Sequence, residues 1–385
     1  MQEEQYERLL EQSVCQMGNL MRWNEKLKQL QYRDVTIAYV GGSITQGVGA
    51  KDTKFCYAYT SYEGLKELLV TTGKISAECS ERLIYHNAGL AGTGSQLCGV
   101  RYEKDVEADG IMQPDIVVVE FAVNDGEDET QGVFYESLIR RILNKDNKPA
   151  ILLVFSVFEN GYNLQQRLTP IAMHYNLPLI NIKQGIYPQF AWEQPVLTKE
   201  QYFADPLHPS DVGHKFMKDC LCSFFKKSLQ EDEVQESFVC PEEVVYGNDA
   251  EKICLLDRSH PYNGAMIFEG AFQQKDIVLQ DGSFSDNWAK PVCASDNQSF
   301  CMEIQASVLI VVVKDSDNPN FGKMEIYVDD KFCRFFDPHI EGWVHCHPLL
   351  LYRNKPGKHK VEIRMQQGEE SMAGTILGFG YCKNI

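Results

Sequence analysis

The sequence predicts an α/β domain with a parallel sheet covered by helices on both faces, followed by an all-β sandwich of jelly-roll kind. Two observations predict it. Over roughly the first 230 residues, short continuous apolar runs alternate with stretches of helical spacing, the pattern of strands buried on both sides. After Ser228 the helical pattern stops, and short strand-like runs separated by turn residues take over.

Each element has its own signal. Residues Glu3–Leu30 have amphipathic spacing and predict one helix docked on the sheet. VTIAYVGG from Val35 is an apolar run ending in glycines, a buried strand. FCYAYTSYEGLKELLVTTG follows with helical spacing and stops at Gly73. RLIYHNAG, PDIVVVEFAV and PAILLVFSVF read as the next three strands, and LPLINI from Leu177 as a weaker one. Helices are expected at Gln96–Val106, Thr130–Leu143, Leu164–Tyr175 and Gly213–Lys227. An acidic stretch beginning QEDEVQE suits a connection, placing a boundary near residue 235, with domains 1–235 and 236–385. Beyond it AMIFEG, SFCMEIQASVLIVVVK, GKMEIYVDDKFCRFF, HKVEIRM and TILGFGY read as strands.

Composition narrows the function. A formal charge of −17 argues against a nucleic-acid partner, which needs clustered Lys and Arg, and favours neutral substrates. The N-terminal MQEEQYERLLEQSVCQ is acidic and lacks the apolar run of a signal peptide. With thirteen scattered cysteines, an odd number, reduced thiols and a cytoplasmic location are expected. No membrane partner is expected, because the most apolar runs are too short to span a bilayer. Self-association is left open.

Four polar clusters fall where strands of an open parallel sheet present ligand-binding loops. They are Gly41-Gly42-Ser43-Ile44-Thr45, Asn87 to Thr93, Asn124-Asp125, and Asp205-Pro206-Leu207-His208-Pro209. A serine at a strand-to-helix turn exposes its hydroxyl but stays a weak nucleophile until a base takes its proton. His208 suits that task because imidazole titrates near neutral pH. Asp205, three residues earlier, can bond the ring Nδ1–H and set its tautomer. The oxyanion that follows attack needs fixed donors, for which the N–H groups of Ser43 and Gly92 and the Asn124 amide are suited.

These four clusters, in this order, resemble the four blocks of the SGNH (GDSL) hydrolase superfamily, over roughly Val35 to Phe216. The resemblance implies a flavodoxin-like three-layer catalytic domain, with Ser43, Gly92, Asn124 and His208 in the four block positions and Asp205 in the Asp-x-x-His block. The first block reads Gly-Gly-Ser-Ile-Thr in place of Gly-Asp-Ser, and Ala122 stands where many members carry glycine. Neither change removes a catalytic group. The order of catalytic domain then sandwich resembles two-domain acetylmannan esterases of carbohydrate-esterase family seventeen, whose sandwich resembles a carbohydrate-binding module. The expected activity is therefore removal of O-acetyl groups from a neutral sugar or oligosaccharide, with no cofactor and no metal. A lysophospholipase or thioesterase, and a non-catalytic carbohydrate-binding protein, are the alternatives.

Other features carry weaker signals. Trp192, on the segment leading to Asp205, is equally suited to border a sugar pocket or to fill the core. Of Trp288 and Trp343, at least one is expected in the β core. Cys220 and Cys222 are expected as core thiols. Gly89 to Gly94 lacks the G-x-G-x-x-G order of a nucleotide loop. His345 and His347 can share one strand face, with His339 near, but lack a clear carboxylate or thiolate partner in the sequence, which disfavours a metal site there.

Overall fold

The computed structural model describes residues 2–230, 237–294 and 296–383. The chain divides into two compact units, one of Met1–Cys98 with Asp105–Asn248, the other of Gly99–Lys104 with Asp249–Ile385. The boundary expected near residue 235 lies outside the described residues.

The first unit holds a six-stranded sheet. Its strands are β1 (Val14–Gln16), β2 (Val35–Gly41), β3 (Leu83–Asn87), β4 (Ile116–Glu120), β5 (Ala150–Phe155) and β6 (Leu179–Asn181), in the order β1-β6-β5-β4-β2-β3. Strands β2 to β6 are parallel. Every residue of β4 and β5 is buried, as their unbroken apolar runs require. Leu9, Trp23, Leu65, Phe216 and Phe224 belong to the core on one side, together with Ile116 and Val118 of β4.

The helix expected over Glu3–Leu30 is two helices, Gln2–Ser13 and Met21–Gln29, separated by β1. Strand β1 pairs antiparallel with β6 and covers an edge that would otherwise expose unpaired peptide groups. Asn19 then stops the extended run: its N–H donates to Asn176 O (2.7 Å), and its side chain accepts from the Met21 N–H (3.0 Å) as the second helix begins. The helix expected at Gln96–Val106 is α-helical only over Ser95–Arg101 and continues as a π-helical turn, Tyr102–Val106.

The second unit comprises antiparallel sheets. Its strands are β7 (Cys254–Leu256), β8 (Ala265–Phe268), β9 (Trp288–Lys290), β10 (Phe300–Ala306), β11 (Val308–Asp315), β12 (Met324–Val328), β13 (Lys331–Phe336), β14 (His345–Tyr352), β15 (Gly357–Met365) and β16 (Gly374–Cys382). One sheet runs β13-β12-β15-β10-β8; the other runs β14-β11-β16-β7, with β9 also paired to β16. The single run expected from Ser299 to Lys314 is two strands in different sheets. The chain changes sheet at Ser307, whose N–H donates to Cys382 O (2.9 Å). Met302, Ile304, Val311, Val313, Ile363 and Phe379 meet in the core. Trp288 is buried there, whereas Trp343 is 37% exposed. Cys220 is buried in the first unit's core and Cys222 packs against it. None of the thirteen cysteines forms a disulfide among the described residues. No helix among the described residues is long and apolar enough to cross a membrane.

Candidate active site

Strand β2 ends at Gly41, and Ser43 opens a short helix, Ser43–Gln46. That turn puts the Ser43 hydroxyl at the carboxyl end of the sheet and its N–H at a helix start, where peptide N–H groups have no intrahelical acceptor. Ser43 Oγ lies 2.9 Å from His208 Nε2. His208 Nδ1 lies 2.8 Å and 3.0 Å from the two Asp205 carboxylate oxygens. A carboxylate only accepts, so Nδ1 carries the proton and Nε2 is left to accept from the serine.

Asp205 is fixed by its own loop. Its Oδ1 accepts from the N–H groups of Leu207 (2.8 Å) and His208 (3.0 Å). Partial burial works against ionisation, but these backbone donors and the His208 ring outweigh it and hold the carboxyl below the usual range. The loop is closed at its base by a bridge between Phe203 and Pro209. Helix Asp211–Ser228 follows, capped by Ser210 Oγ, which accepts from the N–H groups of Val212 and Gly213.

Asn124 follows β4 and places its amide against the Ser43 turn. A Cβ on Gly42 would stand 2.3 Å from Asn124 Nδ2, so only glycine leaves room for this approach. Asn124 Oδ1 is buried without a hydrogen-bond partner among the described residues. The amide oxygen is therefore held by packing and not by a hydrogen bond. Gly92 sits at φ +70° in the turn closed by Thr93 N–H to Leu90 O (3.3 Å). The same loop is tied to the serine turn: Leu90 N–H donates to Gly41 O (3.0 Å) and Ala91 N–H to Gln46 Oε1 (3.0 Å).

Trp192 is not part of the core. It is 40% exposed at the end of the short helix Pro188–Ala191.

Three supporting residues were given no role from the sequence, although Asp125 was named in its cluster with Asn124. Asp125, beside Asn124, is buried and accepts from Ser95 N–H (2.8 Å) and Oγ–H (2.7 Å), which joins the Asn124 turn to the chain just after Gly92. Glu120, at the end of β4, is fully buried and bonds Ser156 Oγ through one oxygen and Thr45 Oγ1 (3.3 Å) through the other. Thr45 Oγ1 in turn lies 2.9 Å from Tyr57 OH. Burial pushes both carboxyls up to about 7. His214 is buried, which pushes its pKa down to about 4, so the ring is neutral. Its Nδ1 accepts from Tyr57 N–H (3.3 Å) and its Nε2–H donates to Val48 O (3.1 Å), pinning the segment just after the serine helix. The one acid inside the apolar run IVVVEFAV was the available signal for Glu120. His214 had none beyond its place on a helix.

A cleft of about 480 Å3 opens beside the serine helix, lined by Gln46, Thr53, Lys54, Tyr59, Tyr85, Asn87 and Gly89. Tyr59 and Tyr85 meet edge-to-face with centroids 5.5 Å apart.

Comparison with known proteins agrees with this architecture. Residues 39–216 match the GDSL-like lipase/acylhydrolase family. Two crystal structures of a two-domain esterase (CEX) active on acetylated mannans, one co-crystallised with mannopentaose, are similar to the whole chain. Each covers 97% of this chain and 99% of its own, with a TM-score of 0.79, at 26% identity for the mannopentaose complex and 25% for the other. No curated protein matches the sequence.

Proposed function

We propose that this chain, a carboxylic ester hydrolase whose residues 39–216 form a GDSL-like lipase/acylhydrolase domain, removes O-acetyl groups from neutral oligosaccharides through an acyl-serine intermediate. The observation that carries the proposal is the continuous Ser43–His208–Asp205 relay. In it Ser43 Oγ attacks the acetyl carbonyl while His208 Nε2 takes its proton, and Asp205 stabilises the imidazolium. The N–H groups of Ser43 and Gly92 and the Asn124 amide receive the oxyanion. His208 then returns the proton to the departing sugar oxygen. Water repeats the sequence on the acetyl-serine and releases acetate.

Two findings support a sugar substrate: the similarity to an esterase active on acetylated mannans, and the cleft beside the serine helix. Aromatic rings such as Tyr59 and Tyr85 pack against the C–H faces of sugars, while the Gln46 side-chain amide offers a partner to hydroxyl groups. Acetylated manno-oligosaccharides are the substrates expected to be deacetylated fastest, ahead of acetylated xylo-oligosaccharides, when the reaction is followed by NMR. Ser43→Ala is expected to abolish turnover of any acetyl ester with the fold intact; residual turnover at the wild-type rate would refute the assignment. Preference for octanoyl over acetyl esters would point instead to a lipid or thioester substrate.

Tyr59→Ala separates sugar binding from chemistry. Its KM for an acetylated oligosaccharide should rise severalfold while hydrolysis of a small acetyl ester is unchanged. An unchanged oligosaccharide KM would remove the cleft from the substrate path.

A further inference from the structure

The second unit holds a cluster that the ester chemistry does not use. Asp315 ends β11 and His345 begins β14, and the antiparallel register sets the two directly opposite one another. His347 lies two residues along β14, so both imidazoles leave the strand on the same face. They converge on one atom: Asp315 Oδ2 is 2.9 Å from His345 Nδ1 and 3.2 Å from His347 Nδ1. One ligand atom from each of the three residues lies within 4.8 Å of the others. Asp315 is fully buried and His345 nearly so, at 4% exposure. Asp315 Oδ1 is buried and has no hydrogen-bond partner among the described residues. His339 does not join them; its ring nitrogens face the carbonyls of Ser316 (2.9 Å) and Phe321 (3.0 Å).

We propose that Asp315, His345 and His347 form a binding site for a divalent first-row transition ion of the Zn2+ kind. The donor set is two imidazoles and one carboxylate, which suits such ions and leaves a fourth position for water or a ligand. Two of the three ligand separations need little adjustment, and closing the third brings the two imidazoles together. Around a tetrahedral ion with bonds of about 2.0–2.1 Å, ligand atoms stand roughly 3.3 Å apart. The two nitrogen-to-oxygen separations given above are close to that. The sequence offered no carboxylate at ligand spacing from His345 and His347; the strand register supplies it from thirty residues away. The cluster lies on the parity of Val311 and Val313, at the end of the apolar core, where a fully buried carboxylate oxygen without a partner is costly. A cation held by both oxygens of the Asp315 carboxylate would remove that cost.

The test uses the full chain, stripped with a chelator and titrated under reducing conditions with Zn2+ and, for its spectrum, with Co2+. The wild type should take up a single equivalent of Zn2+ that survives dialysis, and its thermal midpoint should rise with free Zn2+. The Trp343 ring lies 4.8 Å from that of His345, so its fluorescence should change on loading. Co2+ should give ligand-field bands of nitrogen and oxygen ligation without thiolate charge transfer. His347→Ala, at the most exposed of the three positions, should weaken Zn2+ affinity at least tenfold. Its hydrolysis of a small acetyl ester should be unchanged, and a far-UV circular dichroism spectrum like that of the wild type reports that the second unit has folded. Cys346→Ser, with a side chain on the opposite strand face, should bind as the wild type does. The proposal fails if wild-type protein neither binds Zn2+ nor gains thermal stability from it. It also fails if Co2+ binds through thiolate, or if His347→Ala binds as tightly as the wild type.

Discussion

Asn124 owes its position to an atom that Gly42 does not have. The amide occupies the volume that a Cβ would fill, at 2.3 Å, so the two residues operate as a pair. Gly42→Ala must push the amide away or twist the serine turn, and in either case the donor proposed for the oxyanion is displaced. Losing one such donor costs about 10^2–10^3 in kcat. Gly42→Ala and Asn124→Ala are therefore expected to lower kcat by that order, with little change in KM, and the double variant to be no worse than the poorer single one. Steady-state kinetics on a small acetyl ester check this; additive losses would mean that the glycine serves something other than the amide. Ser43, Asn124 and His208 were legible in the sequence because each lies in a short block with its own chemistry. The dependence of Asn124 on Gly42 was not, because it is a contact between two blocks far apart in the chain.

Among the elements, the end of strand β4 supports the site. Glu120 faces Ser156 on one side and Thr45, within the serine helix, on the other. Its pKa rises from 4.5 to about 7 through burial, so the fold favours the protonated carboxyl. For a group whose folded pKa is raised, the stabilising contribution is complete below the unfolded value and is lost as pH climbs through the folded one. Glu120 therefore contributes its stability below about pH 4.5 and has lost it above about pH 7. Glu120→Gln keeps the shape and removes the titration. Relative to the wild type, the variant's thermal midpoint should improve as pH rises across that window, by the equivalent of roughly 2–3 kcal/mol. A difference between the two proteins that stays constant with pH would show that Glu120 does not titrate there. The strands and most helices of this unit were readable from apolar runs and helical spacing. The break after Ser13 was not, because amphipathic spacing runs through it. What ends the helix is the unpaired edge of β6, which is remote in sequence.

For the whole molecule, the change of patterning after Ser228 was enough to expect an α/β unit followed by a sandwich, because alternating and continuous burial leave different periodicities in a chain. What patterning cannot carry is register, and so the meeting of Asp315 with His345 and His347 emerged only from strand pairing. Net charge, by contrast, belongs to the sequence alone and has a consequence for catalysis. At −17 the chain surrounds itself with a negative potential that repels anionic substrates before they reach Ser43. That repulsion is screened over a Debye length of about 10 Å at 0.1 M salt and about 3 Å at 1 M. Acetylated oligosaccharides bearing uronate groups should therefore show a kcat/KM well below that of neutral ones of equal length at low salt, with the gap narrowing as salt rises. Neutral substrates should be nearly insensitive to salt over the same range. The measurement is kcat/KM for a matched neutral and anionic pair across a salt series. Equal rates with no salt dependence for the anionic member would mean that a local basic pocket overrides the charge of the molecule.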